Sequence, residues 1–113
     1  MYSGNPILVS TFDWEEGSIH NPSVIIDNNQ YKMVYGNAIG QNAFGMATSS
    51  DGFNFVKKAE PIFRITNSVN NIEQISYPFY RKFNNISCIY YTGSTSSAGN
   101  IYLVRNFGDW QSK

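Results

Sequence analysis

The chain repeats one order of events at a constant offset, and this repeat narrows the folds open to it more than any composition does. Pro22 falls on Pro78, Asn28-Asn29 on Asn84-Asn85, Tyr35 on Tyr91 and Gly52 on Gly108. In each copy a proline opens a strand and an Asn-Asn turn follows. An aromatic strand then leads into a Gly-containing loop, and a third strand ends at a Gly turn. A repeat of this length, made only of short strands, predicts radially repeated β-sheets rather than one ordinary sandwich. One such sheet cannot bury both of its faces alone.

Length and charge bound the rest. At 113 residues the chain reads as a single domain, 1–113, near the size at which outside help with burial is common. Charged residues make up 14% and the formal net charge is zero, so there is no electrostatic footprint for nucleic acid or an anionic membrane. The single cysteine, Cys88, allows no internal disulfide and has no partner at metal-ligand spacing. It reads as a small buried hydrophobe. No basic region followed by an apolar run opens the chain, and no stretch reaches membrane-spanning length. The expected location is therefore cytoplasmic, and without a secretory route the glycosylation pattern Asn85-Ile86-Ser87 reads as chance. Aromatics, mostly Tyr and Phe, reach 16% among many Asn, Ser and Gly. That mixture suits sugar stacking, but strand propensity with turn chemistry is the favoured reading.

Along the chain, 1–21 is a lead-in. In it Pro6-Ile7-Leu8-Val9 is a strand or an extended run, and Thr11 to His20 is a loop. The first unit spans about 22–58. Ser23-Val24-Ile25-Ile26 is a continuous apolar run, predicting a strand buried on both faces. Asp27-Asn28-Asn29 turns into an alternating strand from Gln30 to Tyr35. Ala43 to Thr48 is the third strand, Ser50-Asp51-Gly52 a hairpin turn, and Phe53 to Lys57 an outer edge strand. The second unit spans about 78–113, with strands at Pro78–Lys82, Ser87–Thr92 and Gly99–Arg105. Only Trp110-Gln111-Ser112-Lys113 remain for its fourth. Pro61-Ile62-Phe63 ahead of the second unit echoes Pro6-Ile7-Leu8 ahead of the first.

Several of these residues together resemble the five-bladed β-propeller glycosidases, the furanosidase and xylosidase-like superfamily. The resemblance rests on Asn21-Pro22-Ser23-Val24-Ile25, Tyr31 to Gly36, and Phe44-Gly45-Met46-Ala47-Thr48-Ser49-Ser50-Asp51-Gly52-Phe53-Asn54-Phe55. Pro61-Ile62-Phe63, Tyr77-Pro78-Phe79 and Ile89 to Gly93 extend it. It implies an all-β fold of two four-stranded antiparallel propeller-type blades, a partial β-propeller. It also implies a carboxylate base just before the proline of an inner strand. Asn21 and Tyr77 stand there instead. Glycoside hydrolysis takes two carboxylates flanking one bond, and neither an amide nor a phenol serves as the base at neutral pH.

Inner strands of a propeller aim their first residues at the central axis. The resemblance thus implies that His20, Asn21, Ser76 and Tyr77 lie near any pocket. Glu73 is the remaining candidate for a catalytic acid, because Ile72 and Ile75 flank it and burial pushes a carboxyl up. Glu15 and Glu16 read as a solvated loop. Trp14 is a candidate for stacking on a sugar, although Trp14 and Trp110 also suit packing between blades. His20 is the only histidine, which makes a poor metal site; no metal and no cofactor are expected.

The leading functional reading is a glycosidase-like propeller fragment acting as a carbohydrate-binding or assembly module, not catalytic alone. One alternative is a glycoside hydrolase whose site is assembled by oligomerisation, with Glu73 as acid. The other is a structural or interaction domain. Two blades cover each other on one side only, so self-association is expected: three copies closing a six-bladed ring, or a dimer burying the same faces.

Overall fold

The structure, a computed structural model, describes residues 2–65 and 72–105. It is all-β, with two antiparallel sheets placed side by side. Blade one holds β1 (Ile19–Asp27), β2 (Gln30–Asn37), β3 (Ala43–Ser49) and β4 (Val56–Lys57), hydrogen-bonded in that order. A further short strand, β5 (Phe63–Arg64), pairs with the start of β3. Blade two holds β6 (Gln74–Phe83), β7 (Ile86–Ser94) and β8 (Gly99–Arg105) in that order. The fourth strand expected at Trp110 to Lys113 lies outside the described residues. Among the described residues, no helix is long and apolar enough to cross a membrane.

Both inner hairpins turn where the Asn-Asn pairs were noted. Asn28, Asn29, Asn84 and Asn85 all take positive φ, between 47° and 68°. Asn reaches this left-handed region at lower cost than other side-chain-bearing residues, which is why the pair punctuates both copies.

Each blade has a front and a back. The front of blade one carries Ser23, Val34, Met46 and Phe44, in register across the three strands. Its Val34, Phe44 and Met46 are fully buried against the back of blade two, where Ile75, Tyr80, Ile89 and Tyr91 complete the main core. Each such side chain contributes about 1.5–3 kcal/mol through burial. Ile62 and Phe63 pack onto the same core, Phe63 lying 5.4 Å from the Tyr91 ring. Polar links reinforce the seam. Tyr80 N–H donates to Ser23 Oγ at 2.9 Å, and Lys82 of blade two joins Lys32 of blade one on the Asp27 carboxylate.

The back of blade one is covered differently. Met33, Tyr35 and Ala47 form a second, smaller core with Leu8, Trp14, Ile19 and Phe55. The lead-in does this without forming a strand at Pro6 to Val9, where the chain bends at Ile7. The repeated Pro-Ile marker therefore has one job in both copies: it lays apolar side chains on the back of the blade that follows it.

Three expectations need correction. The run Ser23 to Ile26 is not buried on both faces, since Val24 is 43% and Ile26 68% exposed. β1 is an edge strand, and the lead-in covers only part of the face behind it. The outer strand is Val56–Lys57 rather than Phe53 to Lys57. Asp51 accepts the N–H groups of Phe53 and Asn54, both at 2.8 Å, and holds them in the turn instead of the ladder. Finally, Glu15 is not a solvated loop residue; it is fully buried in a short 3-10 turn, Asp13–Glu15. Cys88 is buried and free, in keeping with its expected role.

Candidate functional site

The inner strands carry matching irregularities at their starts. The β1–β2 register shifts between His20 and Ser23, and the β6–β7 register shifts between Ser76 and Phe79. The residue before each proline takes the same left-handed backbone, φ 54° at Asn21 and φ 54° at Tyr77. Asn enters that region readily, whereas a bulky aromatic rarely does. Such a position stores on the order of 1–3 kcal/mol and tends to sit at functional sites, and a bulge of this kind re-aims the side chain it carries. The two blades thus devote equivalent, strained positions to Asn21 and Tyr77. β1 and β6 are neighbours, so both bulges belong to one end of the molecule.

Around Asn21 the polar groups lack protein partners. Asn21 Nδ2 and His20 Nε2 are both buried without a hydrogen bond. Buried polar atoms are rarely left so, and each such case calls for an explanation such as a ligand or an ordered water. Burial pushes the His20 imidazole below its ordinary 6.5, which keeps the ring neutral at pH 7. A neutral ring offers one donor and one acceptor. Beside it a groove of about 270 Å³ is lined by Ile7, Leu8, Ile19, His20, Pro22, Met33 and Tyr35. Its apolar walls and its histidine combine hydrophobic contact with an orienting polar group, though it falls just short of the ~300–1,000 Å³ usual for ligand pockets.

The other predicted residues separate from this cluster. Tyr77 is 65% exposed, its ring open to solvent. Ser76 is buried beside it. Trp14 is held behind blade one, donating its Nε1–H to the Ala59 carbonyl at 2.8 Å and stacking on Tyr35 at 6.0 Å between ring centroids. It packs on the back of blade one and not between the blades. Glu73 is exposed, while Ile72 and Ile75 turn into the core away from it, so the flanking apolar residues do not bury its carboxyl. Among the described residues no group of three or more His, Cys, Asp or Glu could hold a metal ion.

Glu15 is the residue that sequence reasoning missed. Its Oε1 accepts from Thr11 N–H at 2.7 Å and Phe12 N–H at 3.0 Å, and its Oε2 accepts from Tyr35 O–H at 2.6 Å. Lys57 Nζ reaches both oxygens, at 2.8 and 3.0 Å. Burial alone pushes this carboxyl up, but the hydrogen bonds from Lys57, Tyr35, Phe12 and Thr11 outweigh it and hold it below 4.5. With every lone pair engaged it is a structural anchor, fixing the lead-in to β2 and β4. Nothing in Asp13-Trp14-Glu15-Glu16 separates it from its exposed neighbour Glu16. Asp51 is likewise structural; hydrogen bonds from Asn54, Phe53 and Ser49 hold its carboxyl well below the usual range.

No family model matches the chain, and no curated protein matches it in sequence. Solved structures do resemble it. A glycosyl hydrolase from Bacteroides ovatus superposes with a TM-score of 0.76 at 19% identity, over 94% of this chain and 37% of that one. The native arabinanase of Bacillus subtilis gives 0.62 at 19% identity, over 83% of this chain and 35% of its own. An α-L-arabinofuranosidase from Lactobacillus brevis gives 0.63 at 15% identity, over 89% and 32%. At these identities the likeness is one of fold. The chain has the fold of part of a glycoside hydrolase β-propeller, and it spans less than two fifths of the length of these neighbours.

Proposed function

We propose that this chain is a carbohydrate-binding module of glycosidase-like propeller type that does not hydrolyse glycosides by itself. The observation that carries the reading is the pair of twin bulges. Both blades hold a residue of left-handed backbone before the inner-strand proline, and there they present an amide and a phenol, Asn21 and Tyr77, where the resemblance to the propeller glycosidases implies a carboxylate base. The backbone device for aiming a side chain is present, and the base is not.

What is present suits sugar hydroxyls. Asn21 Nδ2 and neutral His20 Nε2 are unpaired and buried, so a ligand with adjacent hydroxyl groups would satisfy both. Removing such groups from water without a partner costs about 1–3 kcal/mol each, and a bound ligand recovers that cost. The apolar wall of the groove matches the C–H face of a sugar ring, and its volume suits about one ring. The exposed Tyr77 ring offers stacking at the equivalent point of blade two. Arabinose-containing oligosaccharides are the first ligands to try, since two of the neighbours are an arabinanase and an arabinofuranosidase.

The test pairs a glycan array with a panel of aryl glycosides. The expected outcome is binding of one glycan class with no turnover of any aryl glycoside. Turnover that disappears in Glu73→Gln would replace this reading with that of a hydrolase. Neither binding nor turnover would leave a structural or interaction domain.

A further inference from the structure

Blade two leaves its front face open. Phe79 (49%), Phe83 (51%), Tyr90 (37%), Ile101 (73%) and Leu103 (47%) are exposed on it, with Phe79, Tyr90 and Leu103 in one cross-strand row. At roughly 150–250 Å² per aromatic side chain, the exposed part of this set amounts to on the order of 500 Å². That matches the largest apolar patch of a typical monomer, which is often functional, and it would form the apolar centre of an interface needing about 800 Å² per partner.

The seam inside the chain says what fits there. It joins the front of blade one to the back of blade two, and the repeat carries its two polar contacts between β1 and β6 onto the two outer faces. Ser23, which accepts from Tyr80 N–H, corresponds to Phe79, and Tyr80 corresponds to Val24. Asp27, which pairs with Lys82, corresponds to Phe83, and Lys82 corresponds to Ile26. Where the internal seam is polar, the two outer faces thus carry matched apolar pairs, Phe79 with Val24 and Phe83 with Ile26. All four are exposed. The marker also matches. Ile62 and Phe63 lie on the back of blade two inside the seam, and Ile7 and Leu8 lie on the back of blade one.

We propose that copies of this chain join head to tail, the front of blade two in one copy seating on the back of blade one in the next. This contact repeats the internal seam, with Phe83 against Ile26 in place of the ion pair. Being heterologous, it propagates until the rotation closes. Three copies give six blades, within the four to eight of closed propellers. The seat on the back of blade one includes Ile7 and Leu8, which also line the groove beside His20; assembly is read without any glycan present.

The experiment is light scattering coupled to gel filtration at micromolar concentration on the wild-type chain, Phe83→Asp and Ile26→Lys, with circular dichroism to confirm folding. Both substitutions fall on exposed side chains. The expected result is a wild-type assembly of several 12.8 kDa chains, and folded monomers for each variant. Mixing the two variants should rebuild an assembly that holds both in equal amounts, because Phe83 of one meets Ile26 of the other at one contact and the introduced acid meets the introduced base at the next. The double variant should reassemble, since it rebuilds between copies the Asp27–Lys82 pair found within one. A folded wild-type monomer overturns the proposal. So does an assembly lost in Phe83→Asp and intact in Ile26→Lys, which would mean front faces meeting each other. Failure of the mixed variants to assemble overturns it as well.

Discussion

Replacing Glu15 by Gln should destabilise the chain by about 3 kcal/mol, the lower end of what removing one partner of a buried pair costs. The figure follows from the surroundings. Glu15 is fully buried and its partner Lys57 nearly so, with side-chain exposures of 0% and 10%. An amide retains one oxygen for the backbone N–H groups of Thr11 and Phe12. It presents a donor to Tyr35 O–H and to the Lys57 ammonium, so the cation loses its counter-charge and two donors face each other. Lys57 keeps its bond to the Val9 carbonyl, at 2.6 Å, and its place 4.7 Å from the Phe12 ring centroid, which is why the lower end applies. At roughly 4 °C per kcal/mol for a domain near this size, the midpoint should fall by about 12 °C. Thermal and urea unfolding of wild type, Glu15→Gln, Lys57→Met and the double variant would measure both loss and coupling. The double variant should lose at least ~1 kcal/mol less than the sum of the singles, as coupled neighbours do. A loss under ~1 kcal/mol in Glu15→Gln, or additive singles, would refute the anchor.

Two further outcomes follow from the same structure. Stability should fall in acid in two stages. The His20 imidazole is held below 6.5 by burial, so its contribution is full above that pH and declines as pH drops through the folded value. The Glu15 and Asp27 carboxylates are held below 4.5 and 3.8, so theirs are full above those values and lost further down. Urea midpoints followed from pH 8 to pH 3 should show both stages, and His20→Gln should remove only the first. Gly45→Ala should cost about 1–3 kcal/mol through overpacking, because a Cβ there meets the Trp14 ring and lies 2.7 Å from Tyr35; a denaturation midpoint unchanged from wild type would contradict the packing of the lead-in.

Much of the fold was legible because its punctuation is chemical. Pro22 and Pro78 mark the inner strands, although they sit at the bulges and not at the strand starts, Ile19 and Gln74, and the paired asparagines sit where only a left-handed turn closes the hairpin. The functional detail was less so. A residue before proline is expected to be extended, so the positive φ of Asn21 and Tyr77 could not be read from the dipeptides; it follows from the bulge, which two strands make together. Glu15 and Glu16 are the same residue type, one fully buried and one exposed. What separates them is Lys57, which lies 42 positions away on β4. The run Ser23 to Ile26 misled because a stretch of apolar residues does not say which of its two faces will be covered. Val24 and Ile26 stay exposed behind β1, where the lead-in does not reach.

The central claim is that the bulge at Asn21, with His20 and the groove beside it, forms a carbohydrate site to which Tyr77 adds an exposed ring at the same end of the molecule. Chemical-shift mapping of the isotope-labelled chain, titrated with arabinose-, xylose- and mannose-based oligosaccharides, tests it most directly. The expected result is saturable shifts for one sugar class centred on His20, Asn21 and Tyr77, weakened at least tenfold in Asn21→Ala. Shifts confined to Phe79, Tyr90 and Leu103, or none with any of the sugars, would contradict it.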